Sequence, residues 1–413
     1  MARILGASVL GNSFATLMLR GASFGVRVAC ILVVARKAGP AAFGTVSVLF
    51  TMAEIARVVA DAGVDTTMIR DMATQRGEAL ARSMGAALSA KLVTGGVVTM
   101  LLLGAMFRFN AADPVMNLSI GLLALTPLAL NLGANYFIAT RQTAMVGAPV
   151  ALATSLAVVL VAAVAFLIES PTPLLLVVAT YELLLGAWLV RLAVRTSGIR
   201  PILSLRGARD LLRTALPLGV AIAVGSTYGR LDVFVIDYFQ GKEAVGLYSV
   251  WARLLDPFLF VVGVIAITAY GHLSASIHEG DLARTRSIAR RYALLNLAVS
   301  VGVATLLAVG GGPLARRFLP SYDGSLWVGQ LLSVILVLRS MNAVLTAILQ
   351  AAAWRRLVML VSFMNFAVAL LACVSLASVA GVLGVVSGLI IMESLSFAVQ
   401  ATFAGKVLRG ALA

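Results

Sequence analysis

The chain has 413 residues, 61% apolar and only 12% charged, with a net charge of +15 and a mean hydropathy of +1.02. A soluble domain is about 45–50% apolar and about 25% charged, so a soluble enzyme or a basic nucleic-acid-binding domain is excluded. Apolar runs of about 20 residues recur along the chain, and they lack the polar alternation of barrel strands. The fold class expected is therefore an all-α polytopic membrane protein.

Hydropathy predicts membrane helices over residues 10–36, 43–68, 85–107, 118–140, 146–168 and 172–194. A basic linker follows at 195–213, with Arg200, Arg206 and Arg209. Six more helices are expected over 214–239, 244–270, 290–310, 326–350, 356–379 and 381–403. The chain thus reads as a six-helix lobe (1–194), a cytoplasmic linker (195–213) and a second six-helix lobe (214–413). Basic residues crowd one set of loops, among them Arg76, Arg82, Arg284 and Arg290, and are sparse in the other, which holds Arg36, Lys37, Lys242 and Arg316. Basic loops stay in the cytoplasm, so both termini are expected there. The start reads directly into the first membrane helix, without a cleavable signal. No loop is long enough to fold as an extramembrane domain, which needs about 50 residues.

The two halves echo each other. Gly39, Gly44 and Ser47 recur 202 residues later as Gly241, Gly246 and Ser249 (241 minus 39). The loop Arg76–Arg82 resembles Glu279–Arg284 in the same way. Six helices separate the copies, and an even number preserves orientation. Parallel repeats related by an axis along the membrane normal are expected, enclosing a central cavity.

Charges inside apolar helices are costly and mark internal ion pairs or ligand sites. Arg20 and Arg27 lie two turns apart on one face of the first helix, which offers no acid to balance them. Guanidinium groups stay charged and bind phosphate oxygens in pairs, so these two are candidates for an anionic ligand. Arg57, Arg230, Arg253 and Arg339 join them as candidate anion-binding residues. Glu54, Asp61, Asp65, Asp232 and Asp256 are candidates for ion coupling or for internal pairs with these arginines. Glu182 and Glu393 read as residues near an interface, and the glycines at 381, 384 and 388 as a close helix-packing face. The chain has no Gly-x-Ser-x-Gly, no Walker loop and no cysteine–histidine cluster. No enzymatic activity, metal or organic cofactor is expected.

Two stretches carry a resemblance. Residues 35–44 (ARKAGPAAFG), 60–63 (ADAG) and 70–73 (RDMA) resemble the amino half of the polysaccharide-biosynthesis flippases, which transport O-antigen and exopolysaccharide repeat units. Residues 230–239 (RLDVFVIDYF) and 244–249 (AVGLYS) resemble the start of that family's second half. The wider superfamily includes the lipid II flippase and the multidrug and toxin extrusion transporters.

The resemblance implies two six-helix lobes forming a V. It also implies a cargo: an oligosaccharide on undecaprenyl pyrophosphate, moved across the bacterial inner membrane by alternating access. Polymerase and glycosyltransferases of the same pathway are implied partners, and H+ or Na+ gradients candidate drives. The lipid II flippase carries cavity arginines on helices 1, 2 and 8, where this chain has Arg20, Arg27, Arg57 and Arg253. Twelve helices rather than fourteen favour the polysaccharide branch. A lipid II flippase, a cation-coupled multidrug antiporter and a membrane-embedded glycosyltransferase or ligase stay open as alternatives. An antiporter would show an acidic, aromatic interior, and a transferase a catalytic constellation.

Overall fold

The computed structural model describes residues 2–75, 77–109, 113–140, 142–167 and 172–410. Side chains are described from Val26 onward, except at 70, 73, 74, 109, 126–130, 221, 314 and 355. The helices are α1 (Ala2–Asp61), α2 (Val64–Thr74), α3 (Gly77–Phe109), α4 (Pro114–Ala139), α5 (Ala144–Leu167) and α6 (Thr172–Ser197). They continue as α7 (Leu205–Tyr228), α8 (Leu231–His278), α9 (Leu282–Phe318), α10 (Leu326–Ala351) and α11 (Arg355–Arg409), with a 3-10 turn at Pro320–Ser325. No strand occurs among the described residues. The protein is an all-α, multi-pass membrane protein.

Three helices are too long for one crossing. At 1.5 Å per residue, α1, α8 and α11 would run roughly 70–90 Å against a hydrocarbon core of about 30 Å. Each breaks at one glycine in a conformation other residues avoid: Gly39 (φ 74, ψ 173), Gly241 (φ 80, ψ −176) and Gly381 (φ 58, ψ −130). The chain folds back at each. The Arg27 guanidinium lies 5.7 Å from the Phe50 ring across the α1 turn. Tyr248 reaches Asp232 across the α8 turn. Asn365 Nδ2 donates to Ser396 Oγ at 3.1 Å across the α11 turn. With these breaks, and with α7 plus the first arm of α8 counted as one crossing, the described helices make twelve passes.

The chain divides into two compact units: Met1–Ala38 with Leu49–Ser226, and Gly39–Val48 with Thr227–Ala413. The core of the first gathers Met68, Met72, Met84, Leu132, Phe137 and Leu189. That of the second includes Leu273, Val344, Ile348 and Leu349, joined by Trp354 and Phe403. The 202-residue echo has a structural counterpart inside the second unit. Gly39 and Gly241 share nearly the same backbone angles. A Cβ on Gly44 would overlap the Lys242 carbonyl, and one on Gly246 would overlap the Pro40 carbonyl. The two turns thus pack reciprocally, backbone against backbone, as a two-fold relation requires. On α11, Gly384 and Gly388 lie against the backbone of Leu376 and Cys373, so this face packs helix on helix, while Gly381 makes the turn itself.

Three sequence expectations are revised. The helix expected over 43–68 is interrupted at Ala62 and Gly63, both with positive φ (49° and 78°). The helix expected over 214–239 is interrupted at Gly229 and Arg230, between α7 and α8. Hydropathy does not register either break, because the residues around it stay apolar. The basic linker is mostly helical: α7 already starts at Leu205 and carries Arg206, Arg209 and Arg213. Only residues 198–204 are irregular, and they are fastened to α3, with Ile202 N donating to Ala81 O at 3.0 Å and Ser204 N to Ser89 Oγ at 3.2 Å.

Candidate functional site

Among the described residues the intramembrane charges fall into four groups, two in each unit. In the first unit Arg27 is buried, and Glu182 of α6 grips it at two points: Nε to Oε1 and Nη2 to Oε2, both 2.5 Å. Nη2 also donates to the Leu123 carbonyl at 3.3 Å. Glu54, on the second arm of α1, is near enough to act on this charge. The sequence expectation that Arg27 lacks a balancing acid is corrected here. Its own arm of α1, before the break at Gly39, has none, but α6 supplies one at 0% exposure. Arg57 is half-buried on the same arm of α1 as Glu54. The side chain of Arg20 lies outside the described residues.

The second group lies beside the break at Ala62–Gly63. Lys91 of α3 donates to Asp65 Oδ1 at 2.5 Å and to Asp61 Oδ1 at 3.2 Å. Asn131 and Asn135 of α4 donate to the two oxygens of Asp65 at 2.8 and 2.7 Å. Two carboxylates therefore share one ammonium. Asp61 thus draws an ammonium partner from α3.

In the second unit the break at Gly229–Arg230 organises the third group. Irregular backbone at membrane depth persists only where protein or a cavity satisfies it. Arg230 sits at this break, 3.5 Å from Asp256, which also takes Arg253 Nη1 at 3.3 Å. Arg253 is buried (4% side-chain exposure) whereas Arg230 keeps 26%. Asp232 accepts from the buried Tyr248 hydroxyl and from Val233 N at 2.9 Å. Arg230, Asp232, Asp256 and Arg339 line one small cavity with leucines from α8 and α10.

In the fourth group Arg339 of α10 donates through Nε to Glu393 Oε1 at 2.6 Å. Asn342 Nδ2 donates to Glu393 Oε2 at 2.8 Å and to its carbonyl at 3.1 Å. Glu393 is 4% exposed and Arg339 25%. Glu182 and Glu393 are thus buried counter-charges rather than interfacial residues. Their mid-helix depth, on the last crossing of each half, was the signal available in the sequence. Lys91, Asn131, Asn135 and Tyr248 gave a weaker one, since each is a polar residue within a mostly apolar run.

The candidate arginines differ in how far their ion pairs enclose them. Of the four whose ion pairs are described, Arg27 and Arg253 are enclosed, and Arg230 and Arg339 keep about a quarter of their side-chain surface open. A guanidinium of that kind, held from one side by a carboxylate, can still present donors to an anion on the other.

The fold is similar to that of a multidrug resistance MATE family transporter of the MOP superfamily in its inward-facing conformation, with TM-score 0.70, 16% identity, and 97% of this chain and 100% of that one covered. It is similar also to a MOP superfamily transporter from Pyrococcus furiosus (TM-score 0.68, 15% identity, 97% and 96% covered). A third likeness is to the MATE multidrug transporter DinF-BH in complex with R6G (TM-score 0.69, 15% identity, 97% and 95% covered). At such identities the likeness concerns the fold alone. No curated protein matches the chain in sequence. The family model described as "Polysaccharide biosynthesis protein" matches residues 9–270, a span that takes in the paired glycine turns, the Asp61–Asp65–Lys91 cluster and the broken helix at Arg230. By that match the chain belongs to the polysaccharide biosynthesis protein family.

Proposed function

We propose that this protein moves oligosaccharides linked to undecaprenyl pyrophosphate from the cytoplasmic to the periplasmic leaflet of a bacterial inner membrane, both its termini being cytoplasmic. The observation that carries the reading is Arg230: a partly open guanidinium at a helix break, in a cavity of a polysaccharide biosynthesis family member. The pyrophosphate binds there by competing with Asp256 for Arg230, with Arg339, which lines the same cavity, as a further candidate contact. The prenyl chain stays in lipid. Binding needs no chemistry on the cargo, so the protein acts as a transporter and not an enzyme, and its polymerase and glycosyltransferase partners act before and after it.

Cells depleted of the protein should accumulate lipid-linked oligosaccharide in the cytoplasmic leaflet, and wild type should restore export. Arg230→Gln should lower flipping at least tenfold with the melting temperature unchanged, because Asp256 keeps Arg253 as its partner. Full rescue by this variant would remove Arg230 from the site. Normal export in depleted cells, with altered sensitivity to cationic drugs, would favour a multidrug antiporter instead.

The drive is an ion gradient or the membrane potential, which is worth about 2.3 kcal/mol per charge per 100 mV. The cluster of Asp61, Asp65 and Lys91 is the group best suited to load H+ or Na+, having two carboxylates to one ammonium. Asp232 and Asp256 are less suited, each being held by a tyrosine or by arginines. In proteoliposomes, Asp61→Asn should leave flipping insensitive to an imposed ion gradient. Undiminished gradient dependence would exclude this cluster.

A further inference from the structure

The fourth group of charges borders a second cavity, of about 350 Å³, walled by α10 and both arms of α11, with Tyr228 at its edge. Its wall is polar but charge-neutral. Arg339 and Glu393 cancel each other at 2.6 Å, and the other polar groups are amides and hydroxyls, among them Asn342, Thr346, Asn365 and Gln400.

Two of these groups are incomplete. The Oδ1 atoms of Asn342 and Asn365 are buried and accept no hydrogen bond, and the residues are only 7% and 6% exposed. The donor end of the Asn342 amide is fixed: Nδ2 faces two oxygens of Glu393, so Oδ1 cannot trade places with it. Asn365 Nδ2 faces Ser396 Oγ, which also accepts from Gln400 Nε2 at 2.9 Å. A hydroxyl donates as well as accepts, so the Asn365 amide can offer the cavity either end. An unfilled buried acceptor costs about 1–3 kcal/mol, and Asn342 Oδ1 in the cavity wall calls for a ligand that donates hydrogen bonds.

The charge balance selects the kind of donor. A cavity whose ions already cancel offers a metal ion or an ammonium group no surplus negative charge. A neutral hydroxyl needs none. The volume is at the small end of ligand pockets, about 300–1,000 Å³, and suits one ring rather than a chain. Arg339 lines this cavity and also the smaller one that holds Arg230 and Asp256. A pyrophosphate at Arg230 and the sugar attached to it would lie on the two sides of one side chain.

We propose that the cavity between α10 and α11 is a subsite for a single sugar ring, whose hydroxyls donate to Asn342 Oδ1 and bond the Asn365 amide. The proposal rests on the transport reading only for the molecule that carries the sugar. The test uses the full-length protein in lipid nanodiscs and two probes: a short-chain prenyl pyrophosphate bearing one hexose, and the same prenyl pyrophosphate without it. Wild type should bind the sugar-bearing probe at least tenfold more tightly.

Asn365→Leu should erase that preference and leave the affinity for the bare probe unchanged. Ala343→Leu, which fills the cavity and removes no polar group, should do the same. A preference that survives both variants overturns the subsite, as does equal loss of both probes. A site whose occupancy follows sodium concentration and ignores the sugar also overturns it. If wild type flips its native substrate but binds the two probes alike, the subsite alone falls. If wild type binds neither probe and does not flip, the transport reading falls with it.

Discussion

Replacing Arg27 with methionine should cost most of the folded protein. The substitution leaves Glu182, at 0% exposure, as a buried carboxylate stripped of both hydrogen bonds from its partner. Removing one member of a buried pair costs about 3–5 kcal/mol, a large fraction of the 5–15 kcal/mol that holds a typical domain together. The lost stacking of the guanidinium on Phe50 adds to this. Arg27→Met combined with Glu182→Met should recover much of the loss, since two apolar side chains in place of a buried ion pair are often neutral or stabilising. Thermal unfolding in detergent and the monodisperse yield read both outcomes. If Arg27→Met melts like wild type, the pair is not structural, and Arg27 returns to the list of ligand contacts. This also separates Arg20 from Arg27 as targets: loss of flipping in an Arg27 variant reports on folding first, so a substrate role for Arg20 is tested by Arg20→Ala alone.

Gly246→Ala should be nearly as damaging, for steric rather than electrostatic reasons. The new Cβ would occupy the space of the Pro40 carbonyl, and backbone cannot swing aside as a side-chain end can. Overpacking typically costs about 1–3 kcal/mol, and a rigid obstacle puts this case at the upper end. Gly44→Ala should behave alike, since its Cβ would meet the Lys242 carbonyl in the reciprocal position. Gly263→Ala is the control: nothing lies within 4 Å of its Cβ position, and alanine favours helix over glycine by about 1 kcal/mol. Equal melting temperatures for Gly246→Ala and Gly263→Ala would show that the two turns do not pack as described.

Much of the fold was legible because hydropathy and glycine report directly on a membrane helix and its end. The twelve crossings follow from apolar length, and Gly39 and Gly241 stood out because the pattern around them recurs. The two helix breaks did not stand out. Ala62–Gly63 and Gly229–Arg230 lie in apolar surroundings where a window average stays high. The charged residues were legible as a set, but not their pairing. A helix face predicts partners one turn away, which holds for Arg253 and Asp256 at 3.3 Å. It fails for Arg27 with Glu182 and Arg339 with Glu393, 155 and 54 residues apart. Such pairs are set by which helices pack together, and composition does not encode that. The free amide oxygens of Asn342 and Asn365 were likewise invisible, because being unpaired is a property of the packed state.

The turn at Gly39–Val48 belongs to the compact unit built mainly from residues 227–413, which has a consequence for biosynthesis. Ribosomes add about 5–20 residues per second, so this segment is made roughly 10–40 s before the turn at Gly241 that receives it. During that interval its glycine-notched backbone has no mate. The second unit cannot close until the nascent chain has passed residue 246, and an amino-terminal fragment that stops before it should remain insertion-competent yet protease-sensitive at Gly39–Val48.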